Sequence, residues 1–268
     1  MTDYVVLSYF DLVLAASLLV FNAGLSMALG LNLERRMIWA AVRMVVQLIL
    51  IGLILHILFA QVSLWLTTAV AVVMALFAGR EILVRQEHRL AGWWGYGIGS
   101  STMLLAGMVV TLLTLHGPLR PEPWYDPRYA IPLFGMILGN AMTGISLGLD
   151  SLTRLARRER EGIEAQLLLG ASRWRAMRYV AQRALRTAFT PMLNSMAAAG
   201  VVFLPGMMTG QILAGAAPDQ AVKYQILVLL LIAGATGLGV LTAVMTSIWR
   251  VTDGRHRLRL DRLSSPSP

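Results

Sequence analysis

Seven times along this chain, about twenty consecutive residues pass with almost no charge among them, over roughly 8–31, 38–59, 62–79, 93–115, 130–150, 188–213 and 224–249. At a helical rise near 1.5 Å per residue, about twenty residues cover a hydrocarbon core of roughly 30 Å. Inside lipid every backbone donor and acceptor must find a partner within the protein, which leaves helices or a closed barrel. A barrel would show short alternating segments, and none occur. Only 14% of the 268 residues are charged, against about 25% in a soluble domain. The pattern predicts an all-α polytopic membrane protein with seven transmembrane helices.

The basic residues set its orientation. With the N-terminus outside, 19 of the 23 lysines and arginines fall on the inner side and three outside, with Arg43 within a span. That bias predicts an outer N-terminus and an inner C-terminus. The net charge of +9 is then topological and does not point to nucleic acid. The first span has the acidic Asp3 and Asp11 in place of a basic flank and runs into Glu34, Arg35 and Arg36, which reads as a retained anchor. The expected layout is a transmembrane domain over 1–250, an inner segment near 158–180, and a disordered tail at 251–268 ending SSPSP.

Several chemistries are excluded. There is no cysteine, hence no disulfide and no thiolate metal site. The single lysine, Lys223, follows Ala221 and Val222, so no Gly-Lys phosphate loop exists. His56, His88, His116 and His256 lack the spacing of metal ligands. GISLG, at 144–148, matches the pattern around a hydrolase nucleophile, but that motif needs a strand, turn and helix. Within a membrane-length helix, Gly144 and Gly148 read instead as a small-residue pair admitting a neighbouring helix, as do Gly135 and Gly139. WWGYGIGSS misses the last glycine of a dinucleotide fingerprint, and Trp93, Trp94 and Tyr96 fit an interfacial anchor.

The segment EGIEAQLLLGASRWRAM, 161–177, is too polar to cross lipid and too apolar for a free loop. Ile163, Leu167, Ala171 and Trp174 share one helical face. Glu161 and Glu164 suit the positive end of a helix dipole. Gly170 suits the left-handed residue that closes a helix, and Ser172 suits the N-cap of the next. These signals predict two short helices meeting at a Gly-Ala-Ser elbow. By themselves they fit either a helix lying on the membrane surface or a docking joint for a cytosolic protein.

Glu164-Ala165 through Gly170-Ala171 resembles the cytoplasmic motif of ATP-binding-cassette permeases. GMILGNAMTG at 135–144, the block AGVVFLPGMMTGQILAGAAPDQAVKYQILV at 199–228 and ERRMIWAAVRMVVQL at 34–48 closely resemble the FetB-type permeases, a bacterial iron-export family with plant relatives. The likeness runs from about residue 9 to 249. It implies a permease homodimer in the bacterial cytoplasmic membrane, with two copies of a separate ATPase docked on the elbow. Glu164, Ala165, Leu168, Gly170, Ala171 and Ser172 would form the joint. The chain itself would bind no cofactor, with ATP and magnesium held by the partner. Iron is the implied cargo, while plant relatives are associated with aluminium tolerance and nucleotide-sugar transport.

Polar and irregular positions at membrane depth mark a candidate pathway. Arg43 and Gln47 share a face of the second span, where Arg43 can either snorkel to the inner boundary or face the bundle. Asn140 and Gln211 lie at depth in spans five and six. Pro205, followed by Gly206, Met207 and Met208, predicts a kinked helix beside a cavity or a static packed kink. Asp11 and Asp150, near span ends, offer oxygen ligands at an entrance or are simply solvated. A gradient-driven carrier and a membrane hydrolase using Ser146 are the rival functions.

Overall fold

The computed structural model describes residues 8–255 and 257–264. Asp3, His256 and the last four residues of the SSPSP ending lie outside these. Among the described residues there are ten α-helices and no strand. Six of the helices are long and apolar enough to cross a membrane. The chain divides into two compact units, Met1–Val62 and Ser63–Pro268.

The first unit is a pair of helices, α1 (Tyr9–Ala28) and α2 (Glu34–Ala60). Ser8 and Asp11 form a capping box at the start of α1, each satisfying the other's backbone amide or that of the first turn. Asp11 is therefore committed to a helix end. The turn between the helices is held by Ser26, whose hydroxyl donates to Glu34 and accepts from the amide of Leu33. Most large side chains of both helices are exposed, as suits a lipid-facing surface.

The second unit holds the core. Its helices are α3 (Leu64–Val84), α4 (Trp93–Thr114), α5 (Pro127–Arg158), α6 (Arg160–Leu168), α7 (Arg173–Ala176), α8 (Arg178–Ala198), α9 (Gly206–Leu213) and α10 (Pro218–Val251). A single π-helical turn, Leu115–Leu119, ends α4. Proline opens both α5 and α10, where its missing donor costs nothing.

Small residues let α5, α8 and α10 approach closely. A methyl added at Gly144 would sit 2.9 Å from Thr236 Cγ2 and 3.2 Å from the backbone oxygen of Ala188. One at Gly148 would meet the Ala188 methyl at 3.1 Å, and one at Gly239 the Ile145 side chain at 2.9 Å. Around these contacts Ile145, Leu149, Leu152, Val240, Val244 and Ile248 are buried. Without a hydrophobic drive between helices in lipid, such close backbone packing supplies the association. The motif at 144–148 is thus a packing device, with Ser146 buried inside a continuous helix.

The expected sixth span, 188–213, is not one helix. Helix α8 stops at Ala198, seven residues leave helical geometry, and α9 begins at Gly206. Gly200 takes φ +81°, and the amides of Val202 and Gly200 bond to the carbonyls of Ala198 and Phe203 at 2.9 Å each. Pro205 is extended at the head of α9, so it does not sit within a kinked helix. A residue free to adopt positive φ and one unable to donate together replace a kink by a full break. The chain still traverses the bundle: α8 packs on the C-terminal half of α5, and α9 lies beside the N-terminal turns of α5 and α10.

A second departure concerns the tail. Expected to be disordered, it folds back through Ser264. Thr252 pairs with Leu258, and Leu263 pairs with Leu90 of the α3–α4 loop. Ala91 donates to the Arg262 carbonyl at 2.7 Å, Ser264 to that of Arg89 at 2.8 Å, and Leu263 is buried. Composition alone hid this, because the apolar residues that anchor the tail are few and their partners lie far away in sequence.

Candidate functional site

The elbow forms where α6 meets α7. Gly170 has φ +84°, its amide donates to Leu167, and the Ala171 amide reaches Gln166, each at 3.0 Å. This is the complete two-bond Schellman ending, which a side chain at Gly170 would strain. Ser172 Oγ then accepts from the Arg175 amide at 3.4 Å and caps α7. Glu164 pairs with Arg160 at 2.9 Å on α6. The predicted elbow is therefore present, residue for residue, although α7 lasts only four residues before the chain turns into α8.

The face offered outward differs from the one expected. Ile163 is buried and Leu167 packs on the core, along with Ala176, Met177 and Val180. The exposed apolar side chains are Leu168 and Leu169, each 88% accessible, with Trp174 half-exposed beside them. The amphipathic face thus anchors the elbow to its own bundle. The two leucines just before Gly170 form the outward tip. Ala165 and Gly170 are exposed near them, and Ala171 is half-buried.

The same end of the bundle is braced by polar contacts. Asp150 accepts from the Glu87 amide at 3.0 Å and lies 3.9 Å from Arg154. Arg157 donates to the Ser264 carbonyl and Arg262 to that of Arg250, both at 2.8 Å. Arg250 also lies over Trp94, 4.6 Å from its ring. In the tail, a hydrogen bond from Arg259 holds the Asp261 carboxyl down at about 2. The Arg257 amide similarly lowers Asp253. Asp150 thus serves as a brace between helix and loop.

Toward the other end, Met207 and Gln211 of α9 line a cleft with α4, α5 and α10. Pro205 heads α9, while Gly206 is exposed, with nothing of another element within 4 Å of where a β-carbon would sit, and Met208 is half-buried. Asn140 stands on an exposed face of α5 and donates to the Met136 carbonyl at 2.8 Å. Arg43 and Gln47 lie on α2 in the first unit, Arg43 half-buried and Gln47 exposed. The pathway residues of the second unit are therefore split between the cleft and the exposed face of α5. Sequence reading missed Arg128, Tyr129 and Tyr224, which line the same cleft; an arginine and tyrosines at span ends were the available signal. No group of three or more metal-ligating side chains occurs among the described residues.

The profile of the uncharacterised protein family UPF0014 matches residues 9–251. This chain belongs to that family. A UPF0014 membrane protein of Synechocystis is 34% identical over 85% of this chain and 87% of its own length. The probable iron export permease protein FetB of Escherichia coli is 29% identical over 94% and 95%. The protein ALUMINUM SENSITIVE 3 of Arabidopsis thaliana is 34% identical over 82% and 78%. No solved structure matches the chain. Family membership and the apolar helices together make this UPF0014 chain a multi-pass membrane protein.

Proposed function

We propose that this chain is the membrane-spanning permease subunit of an ATP-binding-cassette exporter. Two copies would pair in the bacterial cytoplasmic membrane with the N-terminus outside, above two separate ATPase subunits. The observation that carries this reading is the elbow. Its inner face is packed on the α5–α8–α10 core, while Leu168 and Leu169 project almost fully exposed beside the hydrogen-bonded turn at Gly170. A surface membrane helix would turn its apolar face to lipid, whereas this one spends that face on its own bundle. What remains is a short apolar tip on a stiff joint, suited to transmitting a push from a protein groove.

Iron is the cargo that the name of the Escherichia coli relative suggests, and the Arabidopsis name points to aluminium. Both names point to a metal, and the Escherichia coli name alone points to export. Co-purification with a separately encoded ATPase, followed by ATPase stimulation across a panel of metal ions, tests the proposal. Replacing Leu168 and Leu169 together by serine should abolish capture of the ATPase while leaving the fold intact. Undiminished capture would place the joint elsewhere.

A further inference from the structure

A cleft of about 330 Å³ opens where the first turns of α5 and α10 meet α9 and the end of α4. Leu133, Met136, Met207 and Leu231 make its walls apolar. Five polar residues line it: Thr114, Arg128, Tyr129, Gln211 and Tyr224. None is a carboxylate or an imidazole, and the only charge is a guanidinium. The Thr114 hydroxyl is already occupied, donating to the Val110 carbonyl at 2.7 Å.

Of the remaining groups, Arg128 and Gln211 define the chemistry. Arg128 uses its amide to cap α5 on Asp126, but no carboxylate pairs with its guanidinium among the described residues. Gln211 Oε1 is buried and receives no hydrogen bond. Its backbone carbonyl is taken by the Ala216 amide at 3.0 Å, so the side-chain oxygen alone is left over. A buried acceptor without a donor is costly, and the cost vanishes once a ligand supplies one.

We propose that this cleft binds a small oxyanion that also carries a hydroxyl. Arg128 takes the anionic oxygens, as a forked donor does. Gln211 Oε1 accepts from the hydroxyl, and the phenols of Tyr129 and Tyr224 complete the polar set. A bare metal cation is repelled by the guanidinium and finds neither a carboxylate nor an imidazole in the lining, with the Gln211 amide oxygen too little to hold it alone. A neutral polyol makes no use of the guanidinium charge. A soluble hydroxy acid and the glycerophosphate headgroup of an anionic lipid share the required chemistry. The site lies away from the elbow and stands whether or not an ATPase docks there.

The test uses the full-length protein in phosphatidylcholine nanodiscs, titrated with citrate, tricarballylate and glycerol 3-phosphate, and in parallel discs containing phosphatidylglycerol. Binding is read by calorimetry and by the thermal unfolding midpoint. A soluble probe that binds in the phosphatidylcholine discs identifies a solute site. A response to phosphatidylglycerol alone identifies a lipid headgroup site with the same contacts. Arg128→Gln, on an exposed side chain, should weaken binding about tenfold, the usual scale of one charge-assisted hydrogen bond. Gln211→Leu should erase the preference for citrate over tricarballylate, which differs only in lacking the hydroxyl. No response to any probe or lipid overturns the proposal, as does affinity unchanged by Arg128→Gln, or ferrous ion binding in place of the oxyanions.

Discussion

Arg157, in the last turn of α5, donates from its guanidinium to the backbone carbonyl of Ser264 at 2.8 Å, 107 residues further along the chain. Ser264 in turn exchanges hydrogen bonds with Arg89 in the loop before α4. One short tail thereby ties together the ends of α3, α5 and α10, beside the elbow. Such a brace is the fixed base that the proposed docking role of the elbow requires.

Arg157→Ala should lower stability by about 1.5 kcal/mol, the scale of a hydrogen bond to a charged group. Removing residues 254–268 should cost more, because burial of Leu263 and the pairing with Leu90 go as well. Thermal unfolding in nanodiscs measures both. Equal midpoints for wild type and truncation would mean the tail braces nothing.

Gly170→Ala meets no steric obstacle, since nothing lies within 4 Å of the added carbon. Its cost is conformational, about 1 kcal/mol for a side chain at φ +84°. The fold should survive while the elbow loosens. On the proposed exporter reading, coupling between ATP hydrolysis and transport should then fall, seen as more ATP consumed per cargo moved in proteoliposomes. Intact coupling would show that the Schellman ending is dispensable.

Gly144→Ala and Gly139→Ala separate internal packing from an outward face. The first places a methyl 2.9 Å from Thr236 and should destabilise by about 1–3 kcal/mol. The second meets nothing within 4 Å in this chain and, inside a helix, should leave monomer stability unchanged or slightly raised. If two copies pair through the exposed face of α5 that also bears Asn140, crosslinking yield will fall for Gly139→Ala alone. Comparable loss of stability in both variants would contradict this division.

Asp261, held at about 2 by Arg259, has a pKa below the ordinary carboxylate value near 4. A depressed folded pKa contributes stability that is present above the unfolded value and lost as pH falls through about 2. The tail's resistance to proteolysis near Arg259 should therefore be flat from neutral pH down to about 4. Asp261→Asn should remove the acid-side transition. NMR titration of the carboxyl checks the sign directly, and a midpoint above 4 would refute it.

The elbow was legible because its signals are local. Gly170 and Ser172 act within four residues of themselves, so helix stop and helix start could be read without knowing any neighbour. Which face of the elbow points outward was not legible. Ile163 and Leu167 have the same periodicity whether they meet a partner or the chain's own core, and only the position of α8 decides. The break at 199–205 shows the same limit. Gly200 and Pro205 announce an irregularity, but whether it is a kink or a full interruption depends on what packs beside it.

By itself, then, the order of residues determined the membrane-spanning helical class, the small-residue packing at Gly144 and Gly148, and the geometry of the turn at Gly170. Each follows from lipid's intolerance of unpaired backbone or from the conformational range of a single residue. Tertiary structure alone decided that the tail braces the bundle through Ser264, and that Arg128 shares a cleft with Gln211. Those contacts join positions far apart in the chain, and no local preference of either partner encodes the distance between them.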